Sequence, residues 1–207
     1  MPDRRSLLLA AGASLLAAPA LAQAPRSNPM PEELRAALER DPTAPVLGNP
    51  QGNITLTEFF DYNCPHCRTM MPLIQRIVGE DPQLRVVLRE WPIFGAGSEH
   101  AARASLASLS QGRYWQLHSA LLRQRGRVDQ ASVTRAVQAA GLDAARLAGD
   151  MQSDRVERHI TTSHLLADHM GLAGTPTFIC GDEAAFGAMS MAELQALVAR
   201  GRQTLGV

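Results

Sequence analysis

The chain has 207 residues, of which 45% are hydrophobic and only 4% aromatic. That length suffices for one globular domain with a substantial core, or for one domain that carries an insertion. Lysine plus arginine equals aspartate plus glutamate at 20 each. The composition therefore gives no electrostatic reason to expect nucleic acid or an anionic membrane as a partner.

The first predicted element is a targeting segment. Arg4 and Arg5 precede an apolar run that extends to Leu16, and the Ala-Leu-Ala of residues 20–22 has the small residues of a cleavage site. The arginine pair also resembles a twin-arginine signal, so this route and the general secretory route are both open. No segment reaches the roughly 20 apolar residues that spanning a membrane needs. We expect cleavage near Ala22 and a periplasmic protein without stable membrane insertion.

Strand and helix patterns alternate in the next part of the chain. A short helix is predicted for residues 32–40, and residues 45–48 and 54–60 are predicted as strands separated by a turn. Apolar residues recur at helical spacing over residues 70–78, and residues 84–89 alternate as a strand. The order strand, helix, strand predicts a right-handed crossover.

The pattern is helical from Ser98 to about Leu172. Four or five amphipathic segments are predicted there, separated at Gly112, Gly126 and Gly141. After this block, residues 176–179 and 184–187 predict a hairpin, and residues 191–200 predict a final helix.

Two cysteines, Cys64 and Cys67, lie where the predicted strand meets the following helix. Thiols at this spacing can form an exchangeable disulfide, and a helix N-terminus stabilises a thiolate on the first of them. We therefore expect Cys64 to be the exposed, attacking thiol and Cys67 to resolve the mixed disulfide. His66, when protonated, would stabilise the thiolate and make the disulfide more oxidising.

The motif Cys64-Pro65-His66-Cys67, with Glu-Phe-Phe-Asp-Tyr-Asn before it and Gly-Thr-Pro-Thr at residues 174–177, resembles the DsbA family of bacterial thiol:disulfide oxidoreductases. Within the family, Trp-Pro-Ile at residues 91–93 and the Ala-rich segment after Ser98 are most similar to the suppressor-of-copper-sensitivity-type branch. The resemblance implies an α/β protein, with a thioredoxin-like fold and an inserted helical subdomain.

The resemblance also implies roles for individual residues. Thr175 and a cis Pro176 would face the active disulfide and bind an extended substrate segment. Glu58 matches the place of a buried acid beneath the site, where it would accept the proton of Cys67. A surface-facing glutamate on a strand is the alternative. Pro65, between the cysteine and the histidine, completes the set of candidate catalytic residues.

The predicted organisation has five parts. Residues 1–22 are the signal peptide and residues 23–44 a leader with a short helix. Residues 45–97 and 173–207 are the two halves of the thioredoxin fold, and residues 98–172 are the helical insertion. The expected partners are secreted proteins with cysteines and a membrane redox partner, either a quinone-linked oxidase or an electron-donating reductase. No cofactor and no metal site are expected.

Other residues have two interpretations each. Cys180 is either a second redox thiol or a small buried core residue, and the core interpretation is favoured. His159, His164 and His169 recur every five residues, which does not place them on one helical face, so a metal site is disfavoured. Tyr62, Trp91 and Phe94 are either the lining of an apolar substrate groove or packing residues.

Three functional hypotheses follow. The first is an exported thiol:disulfide oxidoreductase, with an oxidase favoured and an isomerase or reductase possible. The second is a periplasmic copper-binding or copper-tolerance protein that uses the same cysteines. The third is an interaction module or a glutathione-dependent isomerase on the same scaffold, which the intact cysteine pair disfavours.

Overall fold

A computed structural model describes residues 29–207. The predicted signal peptide and its cleavage site near Ala22 lie outside the described residues. The strands are β1 (Val46–Gly48), β2 (Ile54–Phe60), β3 (Leu84–Glu90), β4 (Thr177–Cys180) and β5 (Glu183–Phe186). The helices are α1 (Glu32–Glu39), α2 (Pro65–Glu80), α3 (Ala96–Ala107), α4 (Tyr114–Arg123), α5 (Gln130–Ala139), α6 (Ala144–Asp150), α7 (Asp154–His169) and α8 (Met191–Leu205), with a 3-10 helix at Ser108–Gln111.

The five strands form one mixed sheet in the order β1-β3-β2-β4-β5. β2 and β3 are parallel and are joined by α2, as the predicted crossover requires. The other three pairs are antiparallel. The two strands that precede α2 are not neighbours in the sheet, because β1 pairs with β3 and not with β2. β2 is the central strand, and all seven of its residues are buried.

The sheet separates two apolar layers, and the alternation of β2 distributes its side chains between them. Leu56 and Phe60 belong to the larger core, which includes residues of α2 and α8. Phe59 packs instead with residues of α1 and α7 on the opposite face. Because side chains alternate along a strand, Glu58 faces the same side as Leu56 and Phe60, toward α2.

The helical block between β3 and β4 confirms the predicted thioredoxin-like fold with an inserted helical subdomain. It contains five α-helices and the 3-10 helix. It begins at Ala96, two residues before the predicted start, because Gly95 serves as the N-cap with φ of +95°. None of the helices within residues 29–207 combines the length and the apolar character that a bilayer crossing requires.

Candidate active site

Cys64 and Cys67 lie at the start of α2, directly beyond the end of the central strand. Cys64 is the N-cap residue, with extended backbone angles, and Pro65 is the first helical residue. Proline suits this position because its missing N–H would have no partner within the helix. The backbone N–H of Cys67 donates to Cys64 Sγ at 3.4 Å. Both cysteines are free thiols.

The two thiols differ strongly in acidity. A hydrogen bond from the Cys67 thiol is the main cause that lowers the pKa of Cys64 from 9.0 to about 6, and the backbone N–H groups of His66 and Cys67 add to it, against the opposing effect of burial. Burial raises the pKa of Cys67 far above its ordinary value, and the hydrogen bond to Cys64 and the charge of Glu58 raise it further. This difference has the direction that a nucleophilic Cys64 and a resolving Cys67 require.

Cys64 is not exposed, contrary to expectation: only 1% of its surface is accessible. Its thiol donates to the carbonyl oxygen of Thr175 at 3.2 Å, so the loop before β4 covers it. The exposed residues of the motif are instead Pro65 and His66. A molecule that reacts with this sulfur would have to approach along this loop and replace its contact with the sulfur.

Glu58 is a buried acid, as the resemblance implied, and the alternative of a surface-facing glutamate is wrong. Its accessible fraction is 5%, and it lies opposite Leu88 on β3 and Phe178 on β4. Burial, together with the negative charge of Cys64, raises its pKa from 4.5 to about 8. A carboxyl group with such a pKa is able to exchange a proton with a neighbouring thiol near neutral pH.

The peptide bond between Thr175 and Pro176 is cis, as the resemblance implied. The carbonyl oxygen of Thr175 lies beside Cys64, 3.2 Å from its sulfur. The strand that follows, β4, pairs directly with β2, which leads into the cysteines. The downstream motif and the cysteine pair are thus brought together across about 110 residues of chain, since Cys64 and Thr175 are separated by 111 positions.

Two residues that sequence reasoning missed hold the loop before Cys64. Asp61 accepts four hydrogen bonds: from Asn63 N (2.6 Å), Ser98 Oγ (2.7 Å), Ile93 N (2.7 Å) and Phe94 N (3.0 Å). The Asn63 side chain donates to Ser98 Oγ (3.0 Å) and the Val128 carbonyl (3.1 Å), and accepts from Val128 N (2.7 Å). The only sequence signal was a polar pair beside the cysteine, Asp61 and Asn63, and their partners lie far along the chain.

Cys180 and two of the three histidines make internal contacts, whereas His169 is exposed. Cys180 is 1% exposed, and burial raises its pKa to about 12. His159 Nε2 lies 2.8 Å from Glu90 Oε2, and the indole N–H of Trp91 donates to His164 Nδ1 at 3.2 Å. No group of three or more metal-ligating side chains occurs within residues 29–207.

The three aromatic candidates divide between the two interpretations. Tyr62 and Trp91 are buried, with 1% and 6% of their surfaces accessible, and Tyr62 donates to Ser105 Oγ at 2.6 Å. Phe94 is 42% exposed and lies in the loop that Asp61 binds. Only Phe94 is therefore available to a client beside the cysteines.

A sheet of this order, a cis proline beside a cysteine pair at a helix start, and a helical insertion define a protein of the thioredoxin-like class. The profile of the DSBA-like thioredoxin domain matches residues 55–199. The chain therefore belongs to the DsbA-like thioredoxin domain family.

Solved structures and curated relatives agree with this family. A thioredoxin-like oxidoreductase from Silicibacter pomeroyi DSS-3 is 46% identical, with a TM-score of 0.80 over 82% of this chain and 98% of that chain. The catalytic domain of Proteus mirabilis ScsC is 25% identical, with a TM-score of 0.75 over 82% of this chain and 95% of that chain. The thiol:disulfide interchange protein DsbA of Bordetella parapertussis is 28% identical over 81% of this chain and 82% of its own length.

Other curated relatives are much longer proteins. The chain spans only 24% of the length of two Salinispora proteins named Na(+)/H(+) antiporter NhaA, with 26% identity over 155 residues. The similarity therefore concerns one part of those proteins.

Proposed function

We propose that this chain is a thiol:disulfide oxidoreductase that exchanges disulfides with cysteine-containing client proteins through Cys64 and Cys67. The observation that carries the proposal is the difference in acidity between the two thiols. Cys64, at the helix N-terminus, has a pKa of about 6, whereas Cys67 is buried and its pKa is strongly raised. Near neutral pH, Cys64 is the thiolate and Cys67 keeps its proton.

The exchange proceeds in two displacements. In the oxidising direction, a client thiolate attacks Cys64 of the Cys64–Cys67 disulfide, forms a bond to its sulfur and expels Cys67 as a thiolate. A proton from Glu58, whose pKa of about 8 keeps it largely protonated at pH 7, neutralises Cys67. A second client thiolate then attacks the client sulfur in the mixed disulfide and releases the Cys64 thiolate. The client loses two electrons, the protein gains them, and the reverse reaction uses Glu58 as the proton acceptor.

The oxidising direction is favoured. A stabilised Cys64 thiolate stabilises the reduced protein, and a stable reduced form makes the disulfide a stronger oxidant. His66 is exposed beside the cysteine, where its protonated form would add to this effect. Thr175 and Pro176 would bind an extended client segment through the backbone beside Cys64. An oxidase needs a membrane partner that restores its disulfide, and a reductase or isomerase needs one that supplies electrons.

The export of the protein to a periplasm is part of the proposal. It rests on the arginine pair, the apolar run and the cleavage pattern of residues 1–22. A periplasm permits disulfide chemistry, which the cytosol generally opposes. The copper-binding alternative would use the same two sulfurs, and no observation within residues 29–207 favours it.

The acidity of Cys64 tests the proposal directly. Titration of thiolate absorbance should show a transition near pH 6 that is absent in Cys64→Ser and retained in Cys180→Ala. Insulin reduction by dithiothreitol should be accelerated by the wild-type protein and by Cys180→Ala, but not by Cys64→Ser. A transition near pH 9, or catalysis that survives the loss of Cys64, would place the chemistry elsewhere.

The direction of exchange is tested in the native cells. Acid quenching and alkylation with a mass-shifting reagent should find Cys64 and Cys67 mainly as a disulfide if the protein is an oxidase. A mainly reduced pair would assign it instead to the isomerases or reductases.

A further inference from the structure

An open cavity of about 320 Å³ lies beside the cysteine pair, on the side of the helical insertion. Its lining consists of Asn63, Pro65, Arg68, Phe94, Gly126 and Arg127. Asn63 and Pro65 are the two chain neighbours of Cys64, so the cavity adjoins the backbone on both sides of this buried cysteine. Thr175 is not part of the lining, and the cavity is therefore distinct from the cis-proline loop.

The cavity carries positive charge without a balancing carboxylate. Arg68 and Arg127 line it, and neither guanidinium lies within 4.0 Å of a carboxylate in the described part of the chain. Their hydrogen bonds go to carbonyl oxygens: Arg68 donates to Tyr62 and Gln124, and Arg127 donates to Phe94. Carbonyl groups satisfy N–H donors but do not neutralise the charge.

One donor in the lining has no acceptor. Arg68 Nε is buried and, among residues 29–207, finds no hydrogen-bond partner. Buried polar atoms in folded proteins are nearly always bonded, and an unpartnered one calls for a specific explanation. Because less than 1 Å² of this Nε is accessible, the cavity offers a ligand the charge of Arg68 rather than this N–H.

The surrounding sequence strengthens the positive potential. The segment between Glu99 and Asp129 contains no carboxylate, and its arginines at positions 113, 123, 125 and 127 form no ion pair among residues 29–207, whereas Arg103 is paired with Glu99 and Glu157. The Asp129 carboxylate already accepts the N–H of Ser132 at 2.7 Å as the cap of α5. The Asp61 carboxylate accepts four donors from its own loop and its neighbours. Neither carboxylate forms an ion pair with the cavity arginines, so an anionic group is attracted there.

We propose that this cavity binds the side-chain carboxylate of a client residue that lies within about three positions of the client's reactive cysteine, a reach set by the roughly 3.3 Å rise per residue of an extended segment. The inference rests on the proposed function, because it specifies the clients of the same cysteine pair. Arg68 and Arg127 bind the carboxylate, and the exposed Phe94 contacts its methylene groups. The cavity positions the client and leaves the two displacements at sulfur unchanged.

The test compares two synthetic peptides that differ at one position. Each contains one reactive cysteine, with either glutamate or glutamine two positions away, and exchange with the oxidised full-length protein is followed by stopped flow. The wild type should form the mixed disulfide about threefold faster with the glutamate peptide at low salt, as a partly exposed ion pair implies. The preference should shrink as salt rises. Both rates are measured at one pH and divided by each peptide's thiolate fraction, because a neighbouring glutamate raises the pKa of the peptide thiol.

Charge reversal identifies the cavity as the cause. Arg127→Glu should abolish or invert the preference, measured as the ratio of the glutamate-peptide rate to the glutamine-peptide rate, because this ratio cancels any effect of the variant that both peptides share. Arg158→Glu, an exposed position on α7 outside the cavity, is the matched control and should keep the preference.

Two results would overturn the inference. Equal rates for the two peptides in the wild type, or a preference that persists in Arg127→Glu, would exclude carboxylate binding in the cavity while leaving the proposed exchange activity in place. Absence of exchange with either peptide would refute the proposed function and this inference together.

Discussion

At the scale of single residues, Glu58 and Cys67 show how burial couples two proton-binding groups. Burial is the main cause that raises the pKa of each, and the charge of Glu58 raises that of Cys67 further. Each charged form is unfavourable in this apolar environment, so a proton is retained by one group or the other. The pair is therefore suited to move one proton during a displacement without drawing it from solvent.

Replacement of the acid separates its chemical role from its effect on stability. In the reducing direction, Glu58→Gln should slow the attack of Cys67 on the mixed disulfide, the step in which Glu58 accepts the Cys67 proton, by roughly a hundredfold, the usual contribution of a positioned acid or base. Stopped-flow measurement of the second displacement checks this. The first attack of Cys64 on a small disulfide should change little, because Cys64 ionises at lower pH. Equal slowing of both steps would contradict a role in proton transfer.

The same variant has a distinct pH dependence of stability. The folded pKa of Glu58 is about 8, above its ordinary 4.5, so the wild type loses stability as pH rises through this range. Glutamine has no such loss. Urea unfolding should therefore show Glu58→Gln gaining stability relative to the wild type from pH 4.5 to pH 8. A difference that is independent of pH would mean that Glu58 does not titrate in this range.

At the scale of secondary-structure elements, the loop before α2 is held by the helical insertion. Asp61 and Asn63 bind Ser98 at the start of α3 and the backbone of Val128 just before α5. A side chain at Gly97 would place its Cβ 2.3 Å from the Val128 carbonyl oxygen, so glycine permits the close approach of α3. The insertion therefore fixes the position of Cys64 as well as enlarging the core.

Truncation of Asn63 tests this connection. Asn63→Ala removes three hydrogen bonds and leaves Val128 N–H and its carbonyl without their partner, which should cost about 2 kcal/mol of unfolding free energy. Asn53→Ala, at the opposite end of β2, is the control: Asn53 also accepts hydrogen bonds, from Arg202, but these are exposed to water, so its loss should cost at most about 0.5 kcal/mol. Chemical denaturation measures both. Similar losses at the two positions would show that the loop does not depend on Asn63.

At the scale of the whole molecule, buried Arg89 on β3 connects the sheet to α1, which belongs to the apolar layer on the face opposite α2. Its side chain is fully buried and forms an ion pair with Asp41 at 2.7 Å. It also donates to the carbonyl oxygens of Ala37 and Leu38 in the last turn of α1. A cation at a helix C-terminus satisfies carbonyl groups that the helix leaves free and opposes the helix dipole. Arg89 thus anchors α1 across the sheet from α2.

Loss of this arginine should be costly. Arg89→Met keeps much of the volume but leaves Asp41 and the α1 carbonyls without their donor, and removal of one partner of a buried pair typically costs about 3–5 kcal/mol. Arg76→Met removes an exposed arginine that pairs with Glu80 and should cost at most about 1 kcal/mol. Thermal and urea unfolding measure the two variants. A small loss at Arg89 would mean that α1 is held by apolar packing alone.

Local sequence patterns predicted the secondary-structure elements well, but they did not predict the tertiary contacts between those elements. The glycine breaks in the helical block and the alternation of β3 were sufficient to place most helices and strands, because these signals are local. The start of α3 was missed since Gly95 acts through a positive φ that no periodicity reveals. The cysteines and Pro176 were recognisable as a motif. Asn63 and Arg68 were not, because their partners and their surroundings are set by tertiary structure.

The packing of Cys180 has a consequence for the molecule's own integrity. Its sulfur lies so close to Gly201 that a Cβ at that position would come within 2.5 Å of it, and its thiol stays protonated at physiological pH. A thiol:disulfide oxidoreductase that carries a spare reactive thiol risks cross-linking itself or forming dimers with its neighbours. Here the third thiol is buried and protonated while the fold is intact, so the folded state withholds it from exchange and only unfolding would release it.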